Sequence, residues 1–119
     1  MGDYAHVTAW TGIRTGRERQ ALALWGDAVE FYEKAKANSL IDDYEVQLFM
    51  PSGGALPNGM ILLYGSEDQV DGIRRNEERT RLQTRAALLL EGLTETSAIR
   101  GAAVLEGIGT FNEVISELE

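Results

Sequence analysis

Between Arg17 and Ala37, nine apolar residues recur at Ala21, Leu22, Leu24, Trp25, Ala28, Val29, Phe31, Tyr32 and Ala35. At about 100° per residue they fall within one half of a helical wheel, while Arg19, Gln20, Asp27, Glu30, Glu33 and Lys34 fill the other half. A stripe that wide needs more than one surface to cover it. The helix is therefore expected to lie on a sheet and to touch a second element, with the C-terminal segment as the candidate.

The flanking segments carry the period of strands. Ala5 to Ile13 alternates Val7, Ala9, Thr11 and Ile13 with His6, Thr8, Trp10 and Gly12, a pattern rich in β-branched and aromatic types. After Asn38-Ser39 closes the helix, Asp43 to Met50 alternates again, with Tyr44, Val46, Leu48 and Met50 on one side and Glu45, Gln47 and Phe49 on the other. Pro51 to Gly59 holds both prolines and three glycines and reads as a loop. Met60 to Tyr64 follows as a third strand, so strands two and three are expected to form an antiparallel hairpin.

Ser66-Glu67-Asp68-Gln69 is a capping box that opens a second helix. The helix has sparse apolar positions around Arg74 to Arg81, where a kink or break near Asn76 is expected. Between Thr84 and Leu90 the pattern passes from helix to strand, and Leu93 to Ile99 reads as the fourth strand. A C-terminal helix is strongest from Thr110 to Leu118, with Gly107 and Gly109 interrupting the period before it. No internal repeat and no long linker divides the chain, so residues 1–119 are read as one domain.

Composition narrows the function classes. Eleven Lys and Arg against nineteen Asp and Glu leave a formal charge of −8 on 119 residues, which opposes a nucleic-acid backbone. With no cysteine and only His6 as an imidazole, neither a thiolate zinc site nor a cysteine nucleophile is available. No Asp-rich calcium loop, phosphate-binding glycine motif or hydrolase nucleophile motif is present, so no metal and no cofactor are expected. The start of the chain lacks the basic and apolar regions of a secretory signal, and no apolar run approaches the roughly 20 residues of a spanning helix. A cytoplasmic protein without membrane partners is expected.

The element order is βαββαβ plus a C-terminal helix, the split βαβ arrangement of ferredoxin-like α+β folds. Right-handed crossovers put both main helices on one sheet face and leave the other bare. Over residues 5 to 100 this order resembles the dimeric α+β barrel superfamily, which includes cofactor-independent antibiotic-biosynthesis monooxygenases, muconolactone isomerases, and EthD-like and YCII-like proteins. The resemblance lies in element order, not in a motif. It implies a homodimer with pockets between sheet and helices or inside the barrel, and it carries over no catalytic residue.

If Val7, Ala9, Tyr44, Val46 and Leu48 face the helices, then His6, Thr8, Trp10, Glu45, Gln47 and Phe49 share the opposite face. That mixed face makes His6, Trp10, Glu45, Gln47 and Phe49 candidate ligand-lining residues. In the superfamily pairing order His6 and Glu45 would lie about 9 to 10 Å apart, suited to proton shuttling across a bound molecule. The plainer account is a dimer interface with a few satisfied polar groups. Arg74, Arg75, Arg79, Arg81 and Arg85 concentrate five of the eleven basic residues in twelve positions. Arg74, Arg81 and Arg85 are candidate contacts for an anion, although spacing-four pairs such as Glu77 with Arg81 explain much of the cluster. Two functions follow: a homodimer that binds a small apolar or aromatic metabolite, or a cofactor-independent enzyme of monooxygenase or isomerase type acting on one.

Overall fold

The structure is a computed structural model and describes residues 2–49 and 58–119. Its elements in chain order are β1 (Tyr4–Trp10), β2 (Gly12–Ile13), α1 (Glu18–Ala37), β3 (Asp43–Leu48), β4 (Gly59–Gly65), α2 (Glu67–Arg74), α3 (Glu77–Leu89), β5 (Leu90–Glu91), β6 (Thr94–Ile99) and α4 (Ala102–Leu118). Four strands form an antiparallel sheet in the order β3-β4-β1-β6, and β2 pairs with β5 in a separate two-stranded ladder. The expected hairpin is present as β3 and β4. Met50 and residues 51–57 of its expected connecting loop lie outside the described residues.

Local chemistry sets the helix boundaries. Ser66 Oγ accepts from the Gln69 backbone N–H at 3.1 Å, while Gln69 Oε1 accepts from the Ser66 N–H at 2.8 Å, completing the capping box of α2. At the expected break, Asn76 Oδ1 accepts from the Arg79 N–H at 3.0 Å and starts α3 as a new helix. α4 begins at Ala102, earlier than its sequence pattern is strongest, and runs through Gly107 and Gly109. Each helical glycine costs only about 1 kcal/mol, too little to end a helix by itself.

The first strand ends earlier than expected because Thr11 leaves the main sheet. Its N–H donates to Glu91 O at 2.8 Å, and Gly12 and Ile13 then pair with Glu91 and Leu90. Gly92 follows that ladder with φ +62 and packs against the Thr11 side chain, so only a glycine fits there without strain.

α1 buries Leu24, Ala28, Phe31, Tyr32 and Ala35 in a core shared with Ile41, Leu63, Ile73, Leu82 and Ala86. The second element that its wide stripe meets is α3, tied to it by Arg85 Nη1 donating to Asp27 Oδ2 at 2.8 Å. The C-terminal segment was the expected partner, yet α4 buries none of its residues.

The register reverses the expected phase of β1. His6, Thr8 and Trp10 stand opposite Leu63, Ile61 and Gly59, which in turn stand opposite Tyr44, Val46 and Leu48. Directly opposed residues share a face, and this is the face beneath the helices. Val7 and Ala9 instead share the open face with Met60, Leu62, Glu45 and Gln47. The indole of Trp10 has far more apolar area to remove from water than Val7 or Ala9, and His6 and Thr8 find polar partners below it.

Candidate ligand site

A cavity of about 390 Å³ opens between the helix-side face of the sheet and helices α1 and α3. Its apolar walls include Trp10, Leu24, Trp25, Ala28, Leu82 and Ala86, and Thr8, Tyr32, Gln83 and Asn58 are its polar lining. Trp10 and Trp25 meet edge to face, with ring centroids 6.2 Å apart and planes at 79°. Gly59 makes room for this arrangement: a Cβ there would stand 2.7 Å from Trp10 Cζ2 and 2.9 Å from Leu48 Cδ2. Gly59→Ala is expected to displace the indole, to cost about 1 to 3 kcal/mol in urea unfolding, and to shift the tryptophan emission. Wild-type unfolding and emission in that variant would contradict the packing described.

Beside the cavity lies a polar cluster assembled from three elements. Arg79, on α3, is only 4% exposed and His6, on β1, only 2%. Glu95 on β6 is across from Thr8 in the register. Its Oε1 accepts from Arg79 Nη2 in a short ion pair and lies 2.8 Å from His6 Nε2. Arg79 Nη2 and His6 Nε2 are 3.0 Å apart because both donate to that one oxygen. Arg79 Nη2 also donates to Thr8 Oγ1 at 3.4 Å, which links the cluster to the cavity wall. His6 Nδ1, Arg79 Nε and Gln83 Nε2 are buried without a partner.

Burial holds the His6 imidazole below its ordinary value of 6.5, against the upward pull of Glu95. Burial also pushes the Glu95 carboxyl up, but the hydrogen bonds from His6 and Arg79 outweigh it and leave the group below its ordinary 4.5. Each group binds its proton less readily in the folded chain, so the unfolded chain takes up more protons and stability rises with pH through both windows. The His6 contribution is full above about pH 6.5 and is lost as the pH falls through the folded pKa. The Glu95 contribution disappears at lower pH, below its ordinary value. Urea midpoints are expected to fall from pH 7.5 to 5.5 and again to 4. In His6→Gln the first step should vanish, and an unchanged first step would assign it to another group.

The residues expected from sequence to share a site are divided by the sheet. Trp10 lines the cavity, and His6 sits behind Thr8 on the same face. Glu45 and Gln47 point to the opposite face, where Glu45 Oε2 accepts from the Tyr64 hydroxyl at 2.9 Å and Gln47 Nε2 donates to Glu45 Oε1 at 3.2 Å. The proposed shuttle between His6 and Glu45 is therefore excluded by the reversed phase of β1. Phe49 lies just past β3, half-buried, with its N–H donating to Asn58 O at 3.0 Å.

The arginines also separate. Arg74 Nη1 donates to Ser97 Oγ at 3.4 Å, Arg81 pairs with Glu77 at 3.6 Å, and Arg85 holds Asp27. Arg81 and Arg85 border a shallow groove that also contains Asp27, Glu30 and Glu78, a mixed-charge surface and not an anion clamp. Arg79 is the arginine that turns inward. Its signal was present in the sequence, because on the wheel it borders the stripe of Leu82, Ala86 and Leu89. Among the described residues no cluster of three or more His, Asp or Glu side chains could hold a metal ion.

No protein-family model and no curated protein sequence matches this chain. Among solved structures, it is similar to a dimeric protein of unknown function and ferredoxin-like fold from Bacteroides fragilis NCTC 9343. The TM-score is 0.61 at 19% identity, covering 83% of this chain and 97% of the other. It is also similar to a dimeric ferredoxin-like protein of unknown function from Thermobifida fusca YX. Here the TM-score is 0.65 at 10% identity, covering 83% of this chain and 92% of the other. The fold is ferredoxin-like. In this ferredoxin-like frame the cavity lies between sheet and helices.

Proposed function

We propose that the chain acts as a one-domain cytoplasmic homodimer that binds a small apolar or aromatic metabolite between its sheet and helices. The cavity carries this reading. Its volume falls within the range of about 300 to 1,000 Å³ usual for small-molecule sites, and its lining is apolar with a few polar groups on one side. The binding function is favoured over the enzymatic one by the arrangement of the titratable groups. Glu95 occupies His6 Nε2, and among the described residues no His, Asp, Glu, Lys or Arg lines the cavity.

Two uncovered apolar surfaces support the homodimer. One is the middle of the open sheet face, with Val7, Ala9, Met60 and Leu62. The other is α4, where Ile108, Phe111, Ile115 and Leu118 form one exposed stripe. A second copy is the fitting cover, because a two-fold interface matches the same surfaces on both partners and both similar structures are described as dimeric. A membrane surface fits less well: α4 carries Glu106, Glu113 and Glu117 and no basic residue. No helix among the described residues is long and apolar enough to cross a membrane.

Native mass spectrometry of the purified protein, repeated after denaturation, tests both parts of the reading. A dimer carrying added mass that is released on denaturation is the expected result. A monomer would overturn the homodimer. An empty protein that also leaves its tryptophan emission unchanged on titration with naphthalene-sized aromatics would overturn the ligand function.

A further inference from the structure

We propose that the molecule bound in this cavity presents a carbonyl oxygen from an otherwise apolar ring system, and that Gln83 is the residue selecting it. The inference rests on the ligand-binding reading above and deepens it. Gln83 lies one helical turn beyond Arg79 on α3, lines the cavity, and has its Nε2 buried without a partner. Thr8 accepts from Arg79 Nη2, so its hydroxyl proton remains available to donate toward the cavity that it lines. Tyr32 is the third group on this side. Burial pushes its phenol up, with Arg79 beside it pulling the other way, and the group keeps its O–H proton at neutral pH.

Three groups able to donate line the same cavity from three elements, Thr8 on β1, Tyr32 on α1 and Gln83 on α3, and together they call for an acceptor. A buried amide N–H left unpaired is costly, so an occupant that satisfies it is favoured over one that does not. A carbonyl oxygen has two lone pairs and brings no proton of its own, whereas a hydroxyl would add a donor to a donor-rich end. A carboxylate is disfavoured because Arg79 already holds Glu95 and, among the described residues, no Lys or Arg lines the cavity. The rest of the lining, Trp10, Trp25 and Ala28 among it, suits the flat apolar remainder of the molecule.

The test compares 2-acetylnaphthalene with 2-ethylnaphthalene, which differ in the carbonyl at nearly the same shape, by quenching of the tryptophan emission. The wild-type protein is expected to bind the ketone about tenfold more tightly. In Gln83→Leu the preference should disappear through loss of ketone affinity, with the ethyl compound bound as before. Equal binding by the wild type, or a preference that persists in Gln83→Leu, overturns this inference and leaves the cavity as a ligand site. Binding of neither compound overturns the ligand reading and this inference with it. Should Gln83→Leu fail to fold, Gln83→Met removes the same donor on a flexible side chain and is read against the same outcomes.

Discussion

Arg79→Met is expected to lower the stability of the folded chain by about 3 kcal/mol, read as a reduced urea midpoint and a melting temperature about 10 °C lower. Methionine keeps most of the buried aliphatic stem of Arg79, so the loss reports the guanidinium. Without it, Glu95 keeps its charge beside a buried imidazole, and His6 and Thr8 each lose a neighbour on the helix side. Removing one partner of a buried pair is expensive because the other charge remains. The figure is set at the low end of that range because the Glu95 side chain is 35% exposed and water screens part of the penalty.

A second substitution separates charge from packing. In Arg79→Met with Glu95→Gln no carboxylate is left unpaired, so the double variant should recover part of the loss and the two changes should be non-additive. Additive losses would mean that the ion pair contributes nothing beyond the separate side chains. An Arg79→Met protein that melts like the wild type would remove the cluster as a structural element altogether. The same pair governs acid sensitivity: Glu95→Gln should shrink the stability step at the lower pH to the part that Asp43 contributes through its bond from Lys36, while leaving the His6 step in place.

What the sequence revealed divides along the range of the interactions involved. The stripe of α1, the Ser66 capping box and the break at Asn76 depend on residues within one or two helical turns, and each appears in the fold where the pattern places it. The phase of β1 depends on distant partners. Its two alternating sets, His6, Thr8 and Trp10 against Val7 and Ala9, are both compatible with burial on one side, and the polar members of the first set favour the face away from the core. They are inside because Arg79 and Glu95 reach them from elements that follow much later in the chain. The candidate site shows the same division. The expected mixed face that joined Trp10 and His6 to Glu45 followed from one wrong phase, since a single shift moves every side chain of a strand to the other side. Arg79 is hidden by its neighbours: among so many charged residues at spacings that allow intrahelical pairs, a place bordering the stripe does not by itself distinguish the one arginine that turns toward His6 and Glu95.

Placing charges on α4 is expected to separate the proposed homodimer. Phe111 is 66% exposed and Ile108 53% exposed in the single chain, and both lie in the α4 stripe, so Ile108→Asp with Phe111→Asp removes little from the fold of one copy. In a two-fold assembly each substitution occurs twice. Losing four buried apolar side chains at about 1.5 to 3 kcal/mol each amounts to roughly 6 kcal/mol or more, and the buried carboxylates add to it. The dissociation constant should therefore rise at least about ten-thousand-fold, giving a monomer by light scattering at micromolar concentration. The urea unfolding of that monomer then reports the fold without its partner, and its cavity, built from one copy's α1, α3 and sheet, should still quench with an aromatic ketone. A variant that remains dimeric with unchanged affinity would remove α4 from the interface and leave the open sheet face as the surface that joins the two copies.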